Sequence, residues 1–157
     1  MLYFKQIPID PSLLAADIES AIRRVSAKRE ASLDIVSSSS YVKEDKYFVG
    51  IEGDNDLQIT RIRTNFERFF PKIIVSFPKD QAFKIFRIRY SLFSTIVFCI
   101  LLLIVLSNIR LSIASKEVRS DFISVLIVFT LFFCWTLLEI RLTKKKIQKA
   151  IRNYTND

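Results

Sequence analysis

Residues 90–109 and 122–138 form two runs, YSLFSTIVFCILLLIVLSNI and FISVLIVFTLFFCWTLL, that contain no charged residue and are separated by a short polar link. As a helix rising about 1.5 Å per residue, the first run covers a hydrocarbon core of about 30 Å, and the second does so once Asp121 and Glu139 reach the interfaces. The pattern predicts a transmembrane hairpin with spans at about 90–109 and 121–140. The chain thereby divides into a head at 1–89, the hairpin at 90–140 and a basic tail at 141–157. A head of this size buries only about 60% of its unfolded surface, so docking on the hairpin or on another chain is expected to support it.

The formal charge of +8 is unevenly placed. Residues 1–90 carry 15 basic and 12 acidic side chains, whereas 141–157 hold Arg141, Lys144, Lys145, Lys146, Lys149 and Arg152 against Asp157 alone. A basic segment directly after a span meets anionic headgroups, so lipid is the expected partner and nucleic acid is not. Nine basic residues flank the hairpin on the side of the termini and three, Arg110, Lys116 and Arg119, lie in the link. By the positive-inside rule both termini are expected in the cytoplasm. The start MLYFKQIPIDPS has no apolar stretch suited to a signal peptide, which agrees with that expectation.

Arg87, Arg89, Arg141, Lys144, Lys145 and Lys146 are expected to form a basic collar at the membrane surface, with Tyr90 and Trp135 as aromatic anchors near the same interface. The hairpin brings Arg89 to the depth of Glu139 and Arg110 to that of Asp121, so each end is a candidate ion pair, the alternative being charges that mark the boundary and face headgroups.

In the head, Asp10-Pro11 reads as a helix start, and Leu14, Ile18, Ala21, Ile22 and Val25 follow at helical spacing, predicting a helix near 11–29. Ser37 to Ser40 read as a polar link. From Lys46 onward KYFVGIE, LQITRIR, KIIVSF and AFKIFRI read as four antiparallel strands, the first two joined through the turn Gly53-Asp54-Asn55-Asp56. The last strand runs almost directly into the first span. Phe66, Phe69, Phe70, Phe83 and Phe86 are expected in the core between sheet and helix. After Glu139 a broken stripe of Leu142, Ile147, Ala150, Ile151 and Tyr154 predicts a basic C-terminal helix, lying on the head or on the membrane. The fold class is therefore α+β, an N-terminal helix and a four-stranded antiparallel sheet joined to a two-helix membrane hairpin.

Chemistry is sparse. The absence of histidine removes Ser-His and Cys-His pairs, and two glycines, Gly50 and Gly53, allow no phosphate-binding glycine loop. The acidic turn lacks the spacing of a calcium loop. Cys99 and Cys134 sit inside the apolar runs, where a thiol behaves as a small hydrophobe. No catalytic residue, metal or cofactor is expected.

Residues 48–93, FVGIEGDNDLQITRIRTNFERFFPKIIVSFPKDQAFKIFRIRYSLF, resemble a pattern in small bacterial membrane proteins. That pattern has a strand with glycine, a strand ending in basic residues, an RNSF-x-P-x-I segment, a further strand, two spans and a basic helix. Glu67-Arg68-Phe69-Phe70-Pro71-Lys72-Ile73 stands in the third place, without the Asn-Ser pair. The resemblance implies a bacterial inner membrane and a tail helix that packs back on the head; it implies no activity. The expected function is that of a non-enzymatic binding protein whose cytoplasmic head contacts a protein, a lipid headgroup or a small apolar ligand. The competing reading is an oligomeric pore, lysis or immunity-type protein with Ser94, Ser107, Ser124 and Thr130 facing a lumen.

Overall fold

The computed structural model describes residues 3–10, 13–29, 31–34, 46–64, 66–80, 83–115 and 120–156. In chain order these form β1 (Lys5–Pro8), α1 (Ala15–Arg24), β2 (Ser26–Lys28), β3 (Phe48–Glu52), β4 (Asp56–Arg61), β5 (Ile73–Pro78), β6 (Ile85–Tyr90), α2 (Leu92–Ser115) and α3 (Ser120–Asn156). The sheet has six strands in the order β1-β6-β5-β4-β3-β2. It is mixed: β2 runs parallel to β3 and every other pair is antiparallel.

The four expected strands are the central meander β3 to β6, and the two additional ones are its edges. β1 is only four residues long and ends in Pro8, which cannot donate to a ladder and is tolerated at an edge. β2 is three residues long and lies where a helix near 11–29 was expected. The helix ends earlier because Val25 leaves helical geometry at φ −94°, ψ 2°, and its carbonyl accepts the Tyr47 and Phe48 N–H groups instead. The helix also starts later, with Leu14 preceding its first turn and no side-chain cap, so Asp10 does not cap it; Pro11 lies outside the described residues. Ser37 to Ser40 lie outside them too. Gly53 suits the tight β3–β4 turn: a Cβ there would lie 2.8 Å from an Asp56 carboxylate oxygen and 3.2 Å from the Asp56 carbonyl oxygen, so that side chain would have to move to admit one.

One face of the sheet is covered by α1 and the C-terminal part of α3. Ile18 and Ile22 of α1, Ile59, Val75 and Ile88 of the strands, and Ile140, Ile147 and Ile151 of α3 belong to one buried cluster. The basic tail is thus the last layer of the head, and α3 passes from residue 120 to 156 with no break near 140. At about 1.5 Å per residue it is roughly 55 Å long, and the hairpin is inserted between the sheet and the helix that completes its core. Strand alternation leaves a second, smaller cluster of Leu33, Val49, Ile62 and Ile74 on the opposite face.

α2 and α3 are long and apolar enough to cross a membrane. Only 11% of the most apolar window of α2 and 17% of that of α3 is buried, unlike core helices covered by their own chain. Leu103, Leu106, Ile123 and Ile127 are among the large apolar side chains left exposed.

Candidate functional site

The sheet joins the hairpin through a dense set of polar contacts. Ser91 follows β6 directly, and its hydroxyl accepts the Ser94 N–H as a cap of α2. Ser91 N–H donates to the Lys72 carbonyl at 2.9 Å, and Lys72 N–H donates to Ser94 Oγ at 2.8 Å. Asp34 accepts the Leu92 N–H at 2.7 Å, satisfying another of the free amides of the first turn. The same carboxylate takes both terminal nitrogens of Arg89, at 3.0 and 3.1 Å. Burial pushes the Asp34 carboxyl up, but Arg89 and the Leu92 N–H outweigh it and hold the group below the usual range. Ser94, expected in one reading to face a lumen, is buried in this junction.

The expected Arg89–Glu139 pair is not formed. Arg89 lies opposite Ile74 on the face turned away from α3, whereas Arg61, opposite Phe48, points toward it. Glu139 therefore meets Arg61, at 2.6 and 3.2 Å, and Arg61 also donates to Glu67 at 2.7 Å. Arg61 and Glu139 are each 1% exposed. Burial alone would lower the Arg61 pKa, yet the two carboxylates raise it above the usual guanidinium value. At the other end of the hairpin Arg110 is exposed, and the side chain of Asp121 lies outside the described residues.

The same alternation disperses the expected collar. Arg87 shares the face of Arg89 and lies 5.9 Å from the Tyr3 ring, beside the Asp54–Asp56 turn, so the sheet separates both arginines from α3. Lys146 sits over the Tyr47 ring at 5.6 Å, while Arg141, Lys144 and Lys145 are exposed on α3. Tyr90 is the last residue of β6; it stacks on Phe98 and donates its hydroxyl to Thr136 at 3.2 Å. Trp135 packs 6.3 Å from Phe70 at the same junction.

Between the segment 63–72 and the first turns of the hairpin lies a cavity of about 690 Å³. Val97 and Leu101 of α2 and Val128, Leu131 and Phe132 of α3 give it an apolar wall. Arg63, Arg68 and Lys72 supply cations, and Asp34, already engaged by Arg89, is the acidic residue that lines it. Lys72 is 9% exposed, and its ammonium donates to the Leu33 carbonyl. Burial, then the neighbouring Arg63 charge, lowers its pKa to about 8. Arg63 donates to the Phe70 carbonyl and is lowered by burial as well.

The aromatic pattern predicts Phe66 and Phe69 in the core, but they are 73% and 71% exposed on a short 3-10 turn, Phe66–Phe69. Phe70, Phe83 and Phe86 are buried. The cavity itself had no local signal beyond Arg68 and Lys72 bracketing Phe69-Phe70-Pro71, because its apolar half comes from helices distant in sequence. Asp56 accepts from Gln58 and Ser76, which holds the acidic turn as a hairpin loop. Among the described residues no group of three or more His, Cys, Asp or Glu side chains is placed to hold a metal ion. No family model matches the chain, and neither a curated protein nor a solved structure is significantly similar to it.

Proposed function

We propose that the chain is a two-span protein of a bacterial inner membrane, with head and tail in the cytoplasm, that acts by binding rather than by catalysis. The observation that carries this reading is the cavity at the junction, whose apolar wall comes from the candidate spans and whose cations come from the head. Its volume falls in the range of about 300–1,000 Å³ typical of ligand sites, with a few polar groups set in an apolar lining. The basic flanks support the orientation, and the uncovered apolar faces of α2 and α3 support insertion.

Site-directed photocrosslinking in native membranes tests the reading. A photoreactive residue in place of Leu131, on the cavity wall, is expected to capture a discrete adduct. The same residue in place of the exposed Leu103 is expected to give only the pattern of bulk lipid. Identical adduct patterns at the two positions would contradict a binding function for the cavity.

A further inference from the structure

We infer that the cavity binds one anionic phospholipid from the leaflet on the side of the head, with its phosphate beside Arg63, Arg68 and Lys72 and an acyl chain between α2 and α3. This rests on the preceding reading of the hairpin as membrane-spanning and of the cavity as a binding site.

The two halves of the cavity select for an amphiphile. A free phosphate would match the cations but leave the Val97–Leu101 side of α2 and the Val128–Leu131 side of α3 without a partner. A neutral apolar molecule would cover those walls and make no use of the basic side of the lining, Arg63, Arg68 and Lys72. Asp34 is held by Arg89 and the Leu92 N–H, and Glu67 and Glu139, which act on Arg63 from outside the lining, are held by Arg61, so three basic residues and one acidic residue line the cavity among those described. Phe93, Val128 and Leu131 are exposed as well as lining the cavity, so a chain arriving from the bilayer meets apolar side chains there.

The test uses the full-length protein in nanodiscs containing phosphatidylglycerol and phosphatidylcholine with the same acyl chains, with retained lipid counted by native mass spectrometry. The expected result is preferential retention of one phosphatidylglycerol molecule. Each cation near an anionic lipid is worth a factor of about five, so reversing one in Arg68→Glu is expected to weaken retention roughly thirtyfold. Arg141→Glu makes the same change in net charge on an exposed residue outside the cavity and is expected to leave retention unchanged. Val97→Trp, which puts an indole into the apolar side of the cavity where the chain would lie, is expected to abolish it, and added glycerol phosphate is expected not to compete.

Equal weakening by Arg68→Glu and Arg141→Glu would overturn the site in favour of general surface attraction. Competition by glycerol phosphate would overturn the role of the chain. Equal retention of both lipids, lost in Val97→Trp, would overturn the anionic assignment while leaving the binding function intact. Retention that Val97→Trp does not alter would overturn both.

Discussion

Arg61 and Glu139 place opposite charges in a dry contact between strand and helix, so their energetics are dominated by what happens when one is removed. Arg61→Met is expected to destabilise the fold by about 3–5 kcal/mol, because it leaves Glu139 buried without its partner, and Glu139→Gln by less, because Arg61 keeps Glu67. The double variant should lose much less than the sum of the two, as read by thermal unfolding in detergent. Arg89→Ala and Glu139→Ala should instead be additive, since the sheet lies between them. Lys72 gives the residue-scale pH dependence. Burial is the largest influence, Arg63 and Arg89 disfavour its charge and Asp34 favours it, and the pKa is lowered to about 8. Its proton is present below that value and lost above it, so retention of the anionic lipid is expected to weaken as pH rises through about 8. Lipid retention in nanodiscs that stays flat from pH 7 to pH 9 would remove Lys72 from the phosphate site. The pairing partner of Glu139 was not legible in the sequence: depth along the hairpin narrows the choice to residues near one interface, but only strand register says which arginine faces the helix.

At the scale of elements, the continuity of α3 changes the meaning of the basic tail. Ile147 is 1% exposed and packs with both α1 and the sheet, so Ile147→Ala is expected to cost about 2–5 kcal/mol. Arg141→Ala, on an exposed position, should fall within about 0.5 kcal/mol of the parent. A tail lying on lipid would reverse that order, and denaturant titration of the two variants separates the cases. The 3-10 turn carries a second prediction. Phe66 and Phe69 project beside the cavity at the start of α2, where aromatic side chains suit a membrane interface. In a background with Trp135→Phe, Phe69→Trp should be quenched by phospholipid brominated near the headgroup; emission characteristic of water, without quenching, would put the turn away from the bilayer. The interior strands were legible because each alternates β-branched or aromatic residues over five or six positions. The edge strands were not, because KQIP and SAK are too short to show a period, and SAK continues the apolar spacing of α1 for one further turn.

For the whole molecule, the hairpin is an insertion within one fold. The sheet precedes it, and the helix that closes the core follows it, so the apolar helices are fixed to the head on both sides: by Ser91, Ser94 and Asp34 at α2, and by Arg61 and Glu139 at α3. Separation of α2 and α3 at the junction would therefore disturb the core, and the cavity lies where such movement is resisted. The presence and limits of the apolar runs were plain in the sequence, since uncharged stretches of this length are rare outside membranes. Their connection into one body was only partly so, because a short amphipathic stripe rich in lysine is equally compatible with a sheet and with a lipid surface. The central claim is that the head stands on one side of a membrane that α2 and α3 cross. The direct measurement is labelling by an impermeant maleimide in intact bacterial cells, in a background of Cys99→Ala and Cys134→Ala, with single cysteines introduced as Asp54→Cys, Ile113→Cys and Arg152→Cys. The account predicts labelling of Ile113→Cys in intact cells, and of Asp54→Cys and Arg152→Cys only after the membrane is opened. Labelling of Asp54→Cys in intact cells, or recovery of the protein in the soluble fraction without detergent, would contradict it.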